Sequence, residues 1–316
     1  MQIRPFWGLP PGLYAPASPP PMPSGPAAAA LAYILWGLFP LYIKQVAQVP
    51  VLEIVLHRSA WSLVFVLGLL VLLRRFAWLG PVLRQPRTLA IFGLSALLLA
   101  GNWLLYVWAV NNDRLLDASL GYFINPLVNV LLGYAVLHER PRPAQWAAVA
   151  LAAAGVLWLA LGASHVPWVS LVLALTFGFY GLLRKTAPLG AIEGLALETL
   201  LLAPLAVGGL VWLGTTGQGH FGQGDWRLDG LLLLAGPATA IPLLLFASGA
   251  RRVTMATLGL LQYLGPSIQF VLGVFLYHEP FSAGRGVGFG LIWLALAVYS
   301  AESWRSTRRQ RSLASG

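Results

Sequence analysis

In the stretch VLEIVLHRSAWSLVFVLGLLVLL, Val51 to Leu73, three side chains with chemistry recur at intervals of four: Glu53, His57 and Trp61, with Arg58 beside them. That spacing stacks a carboxyl, an imidazole and an indole on one helix face. A carboxyl next to an imidazole can take up and release protons near neutrality, because an unperturbed histidine titrates at about pH 6.5. The neighbouring guanidinium can neutralise the carboxylate or meet an anionic ligand. Ionisable groups at the centre of a spanning helix cost about 2.5–3.5 kcal/mol each on insertion scales, and they mark functional interior positions. Glu53 lies near the start of its apolar run, so an interfacial anchor or a Glu–Arg pair joining two helices is the competing role.

Two other regions carry polar groups inside apolar runs. GNWLLYVWAV (101–110) places Asn102 and Tyr106 one turn apart, with Trp103 adjacent; such groups seek partners inside a bundle or in a wet cavity. Pro126, flanked by Asn125 and Asn129, is matched by Pro266, flanked by Gln262, Tyr263 and Gln269. Proline removes a backbone donor and crowds the carbonyl one turn back, so Pro126 and Pro266 are the expected helix breaks. Asn125, Gln262 and Tyr263 beside them join the candidate binding residues. Trp36 and Trp78, near the ends of apolar runs, are read as membrane-belt anchors.

The elements that must position these groups follow from composition. The chain has 316 residues, 58% hydrophobic and 9% charged, against roughly 25% charged in soluble proteins, which places it in the membrane. It has no cysteine, excluding disulfides and thiolate sites. Its net charge of +10 is spread over short clusters between apolar runs, the pattern of membrane loops rather than of nucleic-acid binding. About 20 apolar residues make a span, and ten such stretches occur: 28–46, 53–73, 88–110, 117–137, 144–162, 167–184, 192–213, 229–249, 256–277 and 286–302. With the N-terminus in the cytoplasm, fifteen Lys and Arg fall on the cytoplasmic side and four opposite, with Arg58 inside a span; both termini are therefore expected inside. Residues 1–26 hold nine prolines and read as a disordered lead, with Met22 a rival translation start. Residues 303–316 read as a basic cytoplasmic tail.

The chain also repeats itself. ASLGYFINPLVNVLLGYAVLHE (118–139) is echoed by ATLGLLQYLGPSIQFVLGVFLYHE (256–279), and AYILWGLFPLYIK (32–44) by ALTFGFYGLLRK (174–185). Two five-span repeats result, 27–162 and 167–302, and the odd number inverts the second. Inverted repeats are a transporter signature, since exchanging the two halves' conformations opens one side and closes the other. GRGVGFG (284–290) lacks the strand and the Lys-Ser/Thr of a phosphate loop and reads as a small-residue packing face. The His-Glu pairs 138–139 and 278–279 lack the second histidine of a zinc protease. An intramembrane enzyme would need a nucleophile with a base, or a metal cluster; neither is found, so no catalytic residue, metal or cofactor is expected.

LEIVLHRSAWSL (52–63), GNWLLYVWAVN (101–111) and ASLGYFINPLVNVLLGYAVLHER (118–140) resemble the RarD-type branch of the EamA-like drug/metabolite transporter superfamily, over roughly residues 30–300. The resemblance implies an all-α integral membrane protein of ten helices in two inverted five-helix repeats, located in the bacterial inner membrane. It also implies export of small metabolites or drugs, the RarD name being tied to chloramphenicol sensitivity. The family pattern matches Glu53, His57, Arg58, Trp61, Asn102, Trp103, Tyr106, Asn125 and Pro126. The function expected is a secondary active exporter of an amphipathic or zwitterionic small molecule. In it, Glu53 and His57 respond to protons, Arg58 meets Glu53 or a substrate carboxylate, and Trp61, Trp103 and Tyr106 line the cavity. Uptake, a channel or a non-transporting scaffold are the alternatives. The partners expected are the substrate and the lipid bilayer, a homodimer being compatible and nucleic acid not.

Overall fold

The computed structural model describes residues 23–111, 115–161, 168–276 and 283–314, and all its regular elements are helical. They are α1 (Gly25–Ile43), α2 (Val51–Leu72), the short α3 (Leu79–Leu83), α4 (Pro86–Asn111), α5 (Leu115–Ala135), α6 (Pro143–Leu161), α7 (Trp168–Thr186), α8 (Ala191–Thr215), α9 (Trp226–Ala250), α10 (Met255–Gln262), α11 (Leu264–Val271) and α12 (Ala283–Ala314). In hydrocarbon the backbone can satisfy its polar groups only internally, so long apolar runs become helices. Among the described residues eight helical segments are long and apolar enough to cross a membrane, and two shorter apolar ones, in α5 and α12, complete the expected ten.

Local chemistry sets the starts. Pro26 occupies the first turn of α1, where a missing N–H costs nothing. Asp225 caps α9, accepting from the Arg227 and Leu228 amides, and Thr254 caps α10 through the Thr257 amide. Two ends differ from expectation. α12 continues past 302 to Ala314, where four arginines, Gln310, Leu313 and Ala314 favour the helix and no Gly or Pro interrupts it. The span expected over 256–277 is divided at Tyr263 into α10 and α11, followed by a π-helical turn over 272–276. The proline-rich residues 1–22, with Met22, and the pair His278-Glu279 lie outside the described residues.

The repeats interlock in a pattern that survives their exchange. α1 packs on α9 and on α10–α11, and its counterpart α7 packs on α4 and α5. α6 packs along α12, and α5 against α10. The largest buried apolar cluster joins α1, α2, α4, α7, α8 and α9, and a second joins α5, α6, α10 and α12. One pairing is unequal: α2 lies close along α9, whereas α4 and α8, the corresponding spans of the other combination, touch far less. In the expected packing face at 284–290, a Cβ at Gly288 would lie 2.5 Å from Leu159 Cγ, whereas one at Gly284 or Gly290 would meet open space; Gly284 instead accepts from the Trp158 indole N–H at 2.9 Å through its carbonyl.

Candidate functional site

Glu53 sits in the first turn of α2, only 2% exposed. Its Oε1 accepts from the His220 backbone N–H at 2.7 Å, and its Oε2 lies 2.8 Å from His220 Nδ1. His57 Nε2 is 3.7 Å from Oε1. Trp61 Nε1 donates to His57 Nδ1 at 3.1 Å, which leaves the proton of a neutral His57 on Nε2, the atom facing Glu53. Phe221 closes the group, its ring centroid 5.1 Å from that of His57 and 6.0 Å from that of Trp61. The structure thus brings Glu53, His57 and Trp61 together on one face, and adds His220 and Phe221 from the loop between α8 and α9. That loop lies 167 residues away in sequence, and its glycine-rich TTGQGHFGQGD gave no periodic signal.

Arg58 does not pair with Glu53. It turns to the other side of α2, where Nε donates to Thr239 Oγ1 at 3.2 Å and the guanidinium carbon lies 3.5 Å from the centre of the Trp103 ring. Its Nη1 is buried without a hydrogen-bond partner. Arginine's planar, weakly hydrated head suits stacking of this kind. Arg58 and Trp103 border a cavity of about 200 Å³ between α2, α4, α8 and α9, and Trp61 and Tyr106 do not. Tyr106 instead packs between Trp103 and Tyr122, with ring centroids 5.7 and 6.0 Å away.

The same cavity is bordered by Glu198, 1% exposed and two turns into α8. Glu198 Oε1 accepts from Ser95 Oγ at 2.5 Å and lies 3.6 Å from Arg184 Nη1, while Oε2 has no hydrogen-bond partner. Sequence reasoning passed over it, although the rule that singled out Glu53 applies to a carboxyl inside the span 192–213. Aligning Leu52-Glu53 with Ile192-Glu193 sets Arg58-Ser59 over Glu198-Thr199, and all four of those residues border the cavity.

The amides hold helices together. Asn102 Nδ2 donates to Leu173 O at 2.9 Å and to Thr176 Oγ1 at 2.8 Å; Asn125 Nδ2 donates to Ala174 O. Asn129 Nδ2 bridges Asn125 Oδ1 and Gln262 Oε1, and the Tyr263 hydroxyl donates to Phe123 O at 3.1 Å. Asn102, Asn125, Gln262 and Tyr263 therefore tie α4 to α7, α5 to α7, and α5 to α10, and none borders the cavity. Nor do the prolines behave alike. α5 runs unbroken through Pro126, whose carbonyl is covered by α10 at Gly259; the chain opens instead at Tyr263, ahead of Pro266. One lost donor does not by itself break a helix that is packed among its neighbours.

At the opposite face, Glu139 accepts from the Met255 amide at 2.7 Å and pairs with Lys185 at 3.6 Å, and Lys185 also donates to the Ala250 and Val253 carbonyls. The two tryptophans read as belt anchors are packed inward: Trp36 among Tyr33, Phe177 and Phe246, and Trp78 buried with its indole N–H on Arg75 O.

The EamA-like transporter family matches residues 23–161. An uncharacterized transporter of Pseudomonas aeruginosa is 48% identical over 285 residues, covering 88% of this chain and 93% of its own. The protein RarD of Streptomyces exfoliatus is 46% identical over 281 residues, 89% of each chain. This chain belongs to the RarD-type branch of the EamA-like transporter family. A protein of known crystal structure shares the fold at a TM-score of 0.67 and 21% identity, over 89% of this chain and 98% of that one. As an EamA-like transporter the chain is a multi-pass membrane protein and not an enzyme. Its membrane helices place Arg58 and Glu198 in the interior, between the two repeats.

Proposed function

We propose that this EamA-like transporter is a secondary active exporter of small metabolites or drugs, amphipathic or zwitterionic, working by alternating access in the bacterial inner membrane with both termini in the cytoplasm. The observation that carries the reading is the cavity between α2 and α8, repeat-equivalent helices, with buried Arg58 and Glu198 on its walls. The unequal α2–α9 and α4–α8 pairings support it, because alternating access requires the two halves to differ at any one moment. The basic bias of the loops supports the orientation. In that orientation the Glu53–His220 contact lies on the outer face and Glu139–Lys185 on the inner.

Glu53, His57 and His220 form the proton-responsive group. One carboxylate faces two imidazoles, so gain or loss of a proton changes whether the α8–α9 loop is held against α2. The test is flux in proteoliposomes containing the wild type or Glu53→Gln, across a range of pH and with chloramphenicol as the first solute. Wild-type flux driven by an imposed pH gradient, and gradient-independent flux in Glu53→Gln, is the expected result. Flux in Glu53→Gln that follows the gradient as in the wild type would remove Glu53 from coupling. Flux only toward the face bearing the termini would make the protein an uptake carrier.

A further inference from the structure

Each of the cavity's two charged residues retains an unused hydrogen-bonding atom: Nη1 of Arg58 and Oε2 of Glu198. An unpartnered polar atom of a charged side chain in a buried site is costly, so such atoms are usually satisfied by something. Among the described residues no carboxylate lies within salt-bridge distance of Arg58. Arg184 forms a buried ion pair with Glu198 through Oε1 at 3.6 Å, leaves Oε2 without a hydrogen bond and does not border the cavity.

Their spacing can be read along α4, which touches both. Glu198 is bonded to Ser95 and Arg58 is stacked on Trp103, and those two positions are separated by a helical rise of about 12 Å. Leu99 and Ala100 line the cavity between them. Allowing about 3 Å for a charge-assisted contact at each end leaves about 6 Å between the charges of a ligand that touches both. An α-amino acid carries its ammonium and carboxylate on one carbon and cannot reach both poles. Two extended residues span about 7 Å and can.

We propose that Arg58 and Glu198 are the two poles of one binding site, and that it takes a zwitterion with separated charges, a dipeptide or an ω-amino acid, its carboxylate on Arg58 and its ammonium on Glu198. This rests on the transport reading above and names its substrate class. The repeats contribute one pole each from equivalent helix positions, so the ligand lies across the pseudo-symmetry axis. The apolar walls accept its body.

The test titrates the purified full chain in detergent with glycine, γ-aminobutyrate, ε-aminocaproate and glycylglycine, with hexylamine and hexanoate as single-charge controls, thermal unfolding reporting binding. ε-Aminocaproate and glycylglycine are expected to bind at least about tenfold more tightly than glycine and either control, the worth of one charge-assisted hydrogen bond. Glu198→Gln should erase the preference for ε-aminocaproate over hexanoate, and Arg58→Gln that over hexylamine. A flat length series in the wild type, which needs no variant to fold, overturns the proposal, as does an equal loss for every ligand in both variants. Chloramphenicol flux through the same protein in liposomes separates the two readings. Saturable flux with a flat series removes the zwitterion site and keeps transport; no flux of any compound removes both.

Discussion

Arg184 and Glu198 meet where α7 gives way to α8, 2% and 1% exposed, and Arg184 also donates to the Ala191 carbonyl at 3.0 Å and lies 5.5 Å from the centre of the Phe92 ring. Removing one partner of a buried ion pair strands the other charge, at a cost of about 3–5 kcal/mol, whereas replacing both by apolar residues is often close to neutral. Arg184→Met should therefore lower the thermal unfolding temperature sharply, and Arg184→Met with Glu198→Leu should recover most of the loss. Zwitterion binding should fail in the double variant despite the recovered stability. A double variant as unstable as the single one would show that the site is held by packing rather than by charge. Legibility at this scale was uneven for a physical reason. Glu53, His57 and Trp61 lie on one helix and announce themselves by spacing, whereas Arg58 meets its partners Thr239 and Trp103 on other helices, and no local spacing reports that. Asn102 and Asn125 look the same in sequence whether their amides face a ligand or, as here, the carbonyls of α7.

At the scale of helices, the crossing of α2 and α9 is the tightest join beside the cavity. Ser62 Oγ donates to Gly236 O at 3.1 Å, and a Cβ at Gly236 would lie 2.6 Å from Trp61 Cβ. A larger residue there must push the helices apart, and overpacking of this kind costs about 1–3 kcal/mol. Gly236→Val should thus lower stability by that order and weaken ligand binding, because Arg58 and Thr239 face each other across the same crossing. Gly230→Val on the same helix, where a Cβ meets open space, is the control and should change neither. Equal effects at the two positions would assign the loss to helix propensity alone. The spans themselves were legible throughout, since hydrocarbon permits long apolar runs few structures other than helices. The break at Tyr263 and the unbroken passage through Pro126 were not, because a proline's effect depends on how the neighbouring helices pack around it.

Considered whole, the molecule joins helices at each of its two faces by different chemistry: Glu53 with His220 at one end, and Glu139 with Lys185 and Met255 at the other. Between them Tyr33, Trp36, Phe177, Tyr180 and Phe246 fill the space among α1, α7 and α9. A carrier must open one face by separating helices that now touch, and at the Lys185 end α1 and α9 touch most closely at Ala29 and Gly249, where a Cβ on the glycine would lie 2.9 Å from that of Ala29. A Gly249 Cβ would also lie 2.8 Å from the Ala29 backbone nitrogen, and disulfide partners have Cβ atoms about 3.5–4.5 Å apart, so Ala29→Cys with Gly249→Cys closes once the two helices draw apart by about 1 Å. The chain has no cysteine of its own, so the engineered bond forms without competition. Oxidation should reduce flux in proteoliposomes to that of empty liposomes, and reduction should restore it, while flux through each single variant should be the same in both conditions. Undiminished flux through the oxidised double variant would mean that α1 and α9 move as one body, and that the opening at this face lies instead between the remaining helices.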